Sequence, residues 1–144
     1  MSADPAGADG LDLLWLAVDG AGHLGAFVTA GQGPIPSSAL PAALGEPWLE
    51  GELSALPLRG AATLLVKNGD MSSWTRLAER GLYAFDWQDV HRSSKQSRHS
   101  YDLVALPPQP LRVEALPARL AAIARVTPLA LVFADCAASG VVIY

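Results

Sequence analysis

Leu13-Leu-Trp-Leu-Ala-Val18, Asp19-Gly-Ala-Gly-His23 and Leu24-Gly-Ala-Phe-Val-Thr29 follow one another without a break, and this stretch decides the fold. Two short apolar runs with aromatic and β-branched residues flank a connection with two glycines. Glycine adopts the positive φ angles that let one strand turn back on another, so the pattern predicts an opening β-hairpin. On its C-terminal side, Thr29-Ala-Gly-Gln-Gly-Pro-Ile-Pro36 ends the sheet, because two prolines cannot donate to a ladder. On its N-terminal side, residues 1–10 contain no apolar element and are expected to be a mobile tail.

Beyond the hairpin, prolines at 41, 47 and 57 limit the chain to short helices near Ser38–Leu44 and Trp48–Ala55. Ala61-Ala-Thr-Leu-Leu-Val-Lys67 reads as a strand. A helix follows, capped by Asp70 or Ser72, with Trp74, Leu77 and Ala78 on one face and Arg76, Glu79 and Arg80 on the solvent side. Gly81 stands where a left-handed residue closes a helix. Leu82–Trp87 and Tyr101–Leu106 form a second hairpin around a polar connection. A second amphipathic helix spans Leu116–Val126 with Leu120, Ile123 and either Ala121 or Ala122 inward, and Leu129–Phe133 and Val141–Tyr144 read as apolar strands or a strand and its tail. The expected architecture is one α+β domain over residues 11–144, a mainly antiparallel sheet with two amphipathic helices.

With 144 residues the chain has room for one core, and 51% hydrophobic against 17% charged residues is a folding composition. No apolar run approaches the roughly 20 residues of a bilayer span, and no basic segment precedes an apolar one as in a secretory signal. A lone Cys136 forms no internal disulfide, which fits a reducing compartment, so a cytoplasmic protein is expected. The net charge of −4 is unevenly spread: residues 1–58 hold seven acids and no Lys or Arg, whereas residues 59–144 hold ten bases and seven acids. An acidic first half repels phosphates and argues against nucleic acid, and it suits a basic protein partner.

No motif for chemistry stands out. His23, His91 and His99 lack the short His/Cys spacing of zinc sites, so neither a metal nor another cofactor is expected, although Asp89 with His91 supplies two ligand types. Gly31-Gln32-Gly33 has no third glycine, and Pro34 removes an amide that a phosphate loop would use. Asp135, Cys136 and Ser139 bring a carboxylate, a thiol and a hydroxyl close together, but a catalytic thiol needs a nearby base. The candidate contacts are therefore those of a binding protein. Glu46, Trp48, Glu50 and Glu52 form an acidic patch around a tryptophan, the residue type enriched at interface centres. Arg92, Lys95 and Arg98 form a second, basic patch with no interleaved aromatic for base stacking.

Trp15–Leu24, Phe27–Pro36, Arg80–Trp87, Asp89–Arg92 and Tyr101–Pro107 together resemble segments of small bacterial proteins of the toxin-immunity group, over about half the chain. The resemblance implies a small acidic α+β domain that is not an enzyme and neutralises a bacterial toxin by occupying its surface. It carries no functional residues over. Two other readings stay open: a small-molecule-binding or enzymatic domain with a site at the Gly31–Pro36 loop and Asp89/His91, and an accessory subunit of a larger assembly. The sequence leaves the oligomeric state undetermined.

Overall fold

In the computed structural model, which describes residues 12–45, 48–66, 71–88 and 100–136, the hairpin is formed by β1 (Leu14–Val18) and β2 (Leu24–Val28). They pair antiparallel, with Leu14 opposite Val28 and Val18 opposite Leu24. Asp19 holds the turn: its Oδ1 accepts the Ala21 and His23 amides at 2.9 Å each. The chain then passes through two short helices, α1 (Leu40–Leu44) and α2 (Trp48–Ser54), and β3 (Thr63–Leu64). It continues through α3 (Ser72–Glu79), β4 (Tyr83–Gln88), β5 (Ser100–Leu106) and α4 (Ala118–Arg125).

The five strands make one sheet in the order β1-β2-β4-β5-β3. Among the described strand pairs only the central β2/β4 pair is parallel, which the crossover through α1, α2 and α3 makes possible. The expected α+β class and mostly antiparallel sheet are thus present, with the two amphipathic helices as α3 and α4 and the two short helices as α1 and α2 among the described residues.

Every residue of β1 is buried, because both sheet faces are covered. One face presents Leu14, Leu16, Leu24, Ala26 and Val104 to Leu49 and Leu53 of α2, Leu77 and Ala78 of α3, and Leu120, Ala121 and Ala124 of α4. The opposite face is aromatic. Trp15, Phe27 and Phe85 are register partners on β1, β2 and β4, and their rings stack at centroid distances of 4.1 and 4.5 Å. Tyr101 meets Trp15 and Phe27 edge-on, and its hydroxyl accepts from Trp15 Nε1 at 3.1 Å and donates to Pro34 O at 2.9 Å. Phe133 closes this face; a Cβ on Gly25 would lie 2.7 Å from its Cζ, so only glycine leaves room for the ring.

Several expectations are corrected. The strand proposed for Ala61–Lys67 is reduced, within the described residues, to Thr63–Leu64. Leu129–Phe133 is not a strand: Pro128 makes a single bridge to Val18, and a 3-10 turn occupies Phe133–Asp135. The α3 N-cap is Met71, with no side-chain cap bond; Ser72 is the first helical residue, and Asp70 lies outside the described residues. Arg80 is only partly exposed, since its Nε donates to the carbonyls of Ser54 and Leu56 and ties the end of α3 to the end of α2. Gly81 closes α3 with φ +103°, as its position suggested. In α4 the inward residues are Leu120, Ala121 and Ala124, while Ile123 lies only partly buried on the helix flank. The 1–10 tail and Val141–Tyr144 fall outside the described residues.

Candidate functional site

Trp48 is the first residue of α2 and lies half-buried between two other helices. Its indole fits against the end of α1 because residue 45 is glycine; a Cβ there would stand 3.2 Å from Trp48 Nε1. Over the ring sits the Arg119 guanidinium of α4, 3.8 Å from the ring centroid. A cation at that distance is attracted by the ring quadrupole, by roughly 0.5–1 kcal/mol at an exposed site.

This pair forms one end of a groove of about 620 Å³, open along one side and lined by Ser38, Pro41, Ala42, Trp48, Arg119, Ala122, Ile123 and Val126. Almost all of the lining surface is apolar. Three of these residues and the C-cap Val126 lie on one side of α4 at positions i, i+3, i+4 and i+7. The helix therefore has two apolar sides, one in the core and one facing the groove. Val126 is 56% exposed. Among the described lining residues Arg119 carries the only charge, and no carboxylate of the described residues forms an ion pair with it.

The expected acidic patch is divided. Leu49 and Leu53 point into the core, so Glu50 and Glu52 fall on opposite flanks of α2, both exposed. Glu52, four residues after Trp48, shares its side of the helix. Glu50 instead lines a small cleft of about 70 Å³ with Asp12, Ser73 and Arg76, between α2, α3 and the sheet. Glu46, Arg92, Lys95, Arg98, Asp89 and His91 lie outside the described residues.

The Gly31–Pro36 loop packs as part of the core. The Gln32 and Gly33 amides both donate to Thr29 O, Ile35 is buried among the aromatics, and a Cβ on Gly33 would lie 2.8 Å from Tyr101 Cζ. The other proposed members of its site, Asp89 and His91, lie outside the described residues.

The Asp135–Cys136 segment meets Asp19, His23 and Tyr83 at one end of the sheet. Asp19 Oδ2 accepts the Phe133 amide at 2.8 Å, joining residues 114 positions apart. Burial first, then the Asp135 and Asp19 carboxylates, pushes the Cys136 thiol pKa up, and its Sγ donates to Val132 O at 3.5 Å. Burial and the same acids also raise the Tyr83 phenol. His23 Nδ1 is buried without a partner. Such surroundings suppress thiolate, the opposite of what a catalytic cysteine requires. Among the described residues no cluster of three or more His, Cys, Asp or Glu side chains could hold a metal, and no helix is long and apolar enough to cross a membrane.

What the sequence reading missed is the groove wall of α4. Leu120-Ala-Ala-Ile-Ala124 fits two different inward faces because alanine is compatible with either environment. The overlooked signal was Arg119 with Ala122, Ile123 and Val126, a second helical stripe displaced from the first. A comparison of the chain with protein-family models, with curated proteins and with solved structures gives no match in any of the three.

Proposed function

We propose that the chain is a non-catalytic protein-binding domain of the immunity or antitoxin kind, which neutralises a bacterial toxin by covering part of its surface. The observation that carries this reading is the open apolar groove beside Trp48. A soluble protein seldom leaves such a surface to water unless something docks on it. A half-buried tryptophan held by Arg119 provides the large, rigid contact that dominates binding at interface centres. Exposed Glu52 on the same flank of α2 adds a charge at the rim, where it acts on association rate more than on affinity.

The test is capture of partners from lysate by wild type, Ile123→Asp and Leu58→Asp. Leu58 is an exposed leucine that does not line the groove, so its variant reports on non-specific effects. One stoichiometric partner, kept by Leu58→Asp and lost by Ile123→Asp, is the expected result. A partner retained equally by all three, or no partner at all, would remove the groove from consideration. A second reading has one observation in its favour: about 620 Å³ lies within the roughly 300–1,000 Å³ of small-molecule sites. It predicts that apolar ligands raise Tm in wild type and not in Ile123→Asp.

A further inference from the structure

We infer that the occupant of the groove is an amphipathic α-helix of a protein partner, carrying a carboxylate that pairs with Arg119. This rests on the protein-binding reading above and names the partner segment. The argument has three parts.

The first is shape. Arg119, Ala122, Ile123 and Val126 form a straight stripe along two turns of α4, roughly 10 Å long at 1.5 Å per residue. Pro41 and Ala42 of α1, with Trp48, make the facing wall. Small residues at the contact let helix axes approach to about 8–10 Å, and Ala42 and Ala122 are the small residues here. A helix laid in a groove presents side chains at i, i+3, i+4 and i+7, the same spacing as the wall it meets.

The second is charge. Arg119 is held in place by stacking on Trp48 and has no ion pair among the described residues. Sealing the groove with a wholly apolar segment would desolvate that cation without compensation, which is strongly unfavourable. A carboxylate on the occupant removes the penalty, and a bidentate pair fixes its register. The same end of the groove holds the first turn of α4, whose N-cap is Pro117 and which has no side-chain cap. The positive end of the helix dipole adds to the preference for an acid there.

The third part favours a different protein over a second copy of this chain. A two-fold pairing through this surface would bring in the same described lining residues, none of them acidic, and would leave each Arg119 dependent on Glu52 at the rim for a counter-charge.

The experiment places the photo-crosslinker p-benzoylphenylalanine at exposed position 122, irradiates the protein in lysate, and maps the joined partner segment by mass spectrometry. A synthetic peptide of that segment is then titrated against wild type, Arg119→Glu and Ile123→Asp, with circular dichroism confirming that each variant is folded. The expected segment has apolar residues at i, i+3 or i+4, and i+7, with an Asp or Glu within one turn. Arg119→Glu weakens the peptide at least tenfold, and Lys in place of its acid restores affinity to that variant. A segment that is extended, lacks an acid or belongs to this same chain overturns the inference, as does peptide affinity unchanged by Arg119→Glu. Loss with Ile123→Asp but not with Arg119→Glu refutes the charged pairing alone and leaves the binding function standing. No cross-linked protein refutes both.

Discussion

Asp19→Asn is the sharpest perturbation of this fold, because a single atom changes identity where three backbone donors converge. Asp19 is 6% exposed; Oδ1 serves the Ala21 and His23 amides, and Oδ2 serves the Phe133 amide at 2.8 Å. An asparagine retains one acceptor for the hairpin turn but turns an NH2 group toward the Phe133 N–H, donor against donor. The lost bond to a charged acceptor is worth about 1.5–3 kcal/mol. The two surviving bonds change from charged to neutral acceptors, which are roughly half as strong. A total near 3 kcal/mol follows, and for a chain of this size it lowers Tm by about 10 °C. Urea unfolding followed by tryptophan fluorescence measures it, with an unchanged m-value showing that the unfolded state is not the cause. Hydrogen exchange adds a local signature: the amides of Ala21, His23 and Phe133 lose protection together although they are remote in sequence. Stability within about 0.5 kcal/mol of wild type, the range of neutral surface changes, would refute the account of Asp19 as the clasp between hairpin and C-terminal turn.

Tyr101→Phe removes the hydroxyl shared by Trp15 Nε1 and Pro34 O, leaves a fully buried indole donor unpaired, and is expected to cost about 2 kcal/mol in the same urea assay. Gly25→Ala drives a methyl group into Phe133 and is expected to cost about 1–3 kcal/mol; adding Phe133→Leu should recover part of that loss, and strict additivity in the double-mutant cycle would show that the two do not touch. The folded-state pKa values of Tyr83 and Cys136 are both raised, so their contribution is complete below the unfolded values, near 8.5 for the thiol and 10 for the phenol, and is lost as pH climbs through the folded ones. Thermal melts should therefore decline from about pH 8.5 upward, and the combined Tyr83→Phe, Cys136→Ser variant should show a shallower alkaline decline than wild type.

The two hairpins were legible because their signals are local. Short apolar runs, glycine at the turn and strand-forming side chains agree over 13–29, and the stacked row of Trp15, Phe27 and Phe85 forms once the strands align in register. The parallel β2/β4 junction was not legible, since Gly25 meets Tyr83 only through tertiary packing that no neighbouring residue encodes. Leu129–Phe133 looked like a strand because it is a short, continuous apolar run. It became a bridge and a 3-10 turn because the Asp19 carboxylate captures the Phe133 amide and Phe133 fills the space above Gly25. At the candidate site, Trp48 was found from its composition and flanking acids. Its partner Arg119 was not, since a cation–π pair between residues so far apart leaves no spacing to read. The acidic cluster split for a reason that sequence alone could supply: residues two apart on a helix diverge once Leu49 and Leu53 fix the inward direction.

Phe133 reaches across the aromatic face from the C-terminal part of the chain, and that arrangement has a consequence for synthesis. The hairpin bearing Trp15 and Phe27 leaves the ribosome early, whereas the ring that covers it is added more than a hundred residues later. Throughout that interval the nascent chain displays these aromatics to solvent or to whichever chaperone attends the exit tunnel. The edge of β1 is likewise unprotected until Thr127 and Leu129 hydrogen-bond to Val18. Ribosome stalling before residue 127 would thus release a species prone to associate with its neighbours, and the arrival of Thr127 to Phe133 doubles as the step that makes the protein safe in a crowded cell.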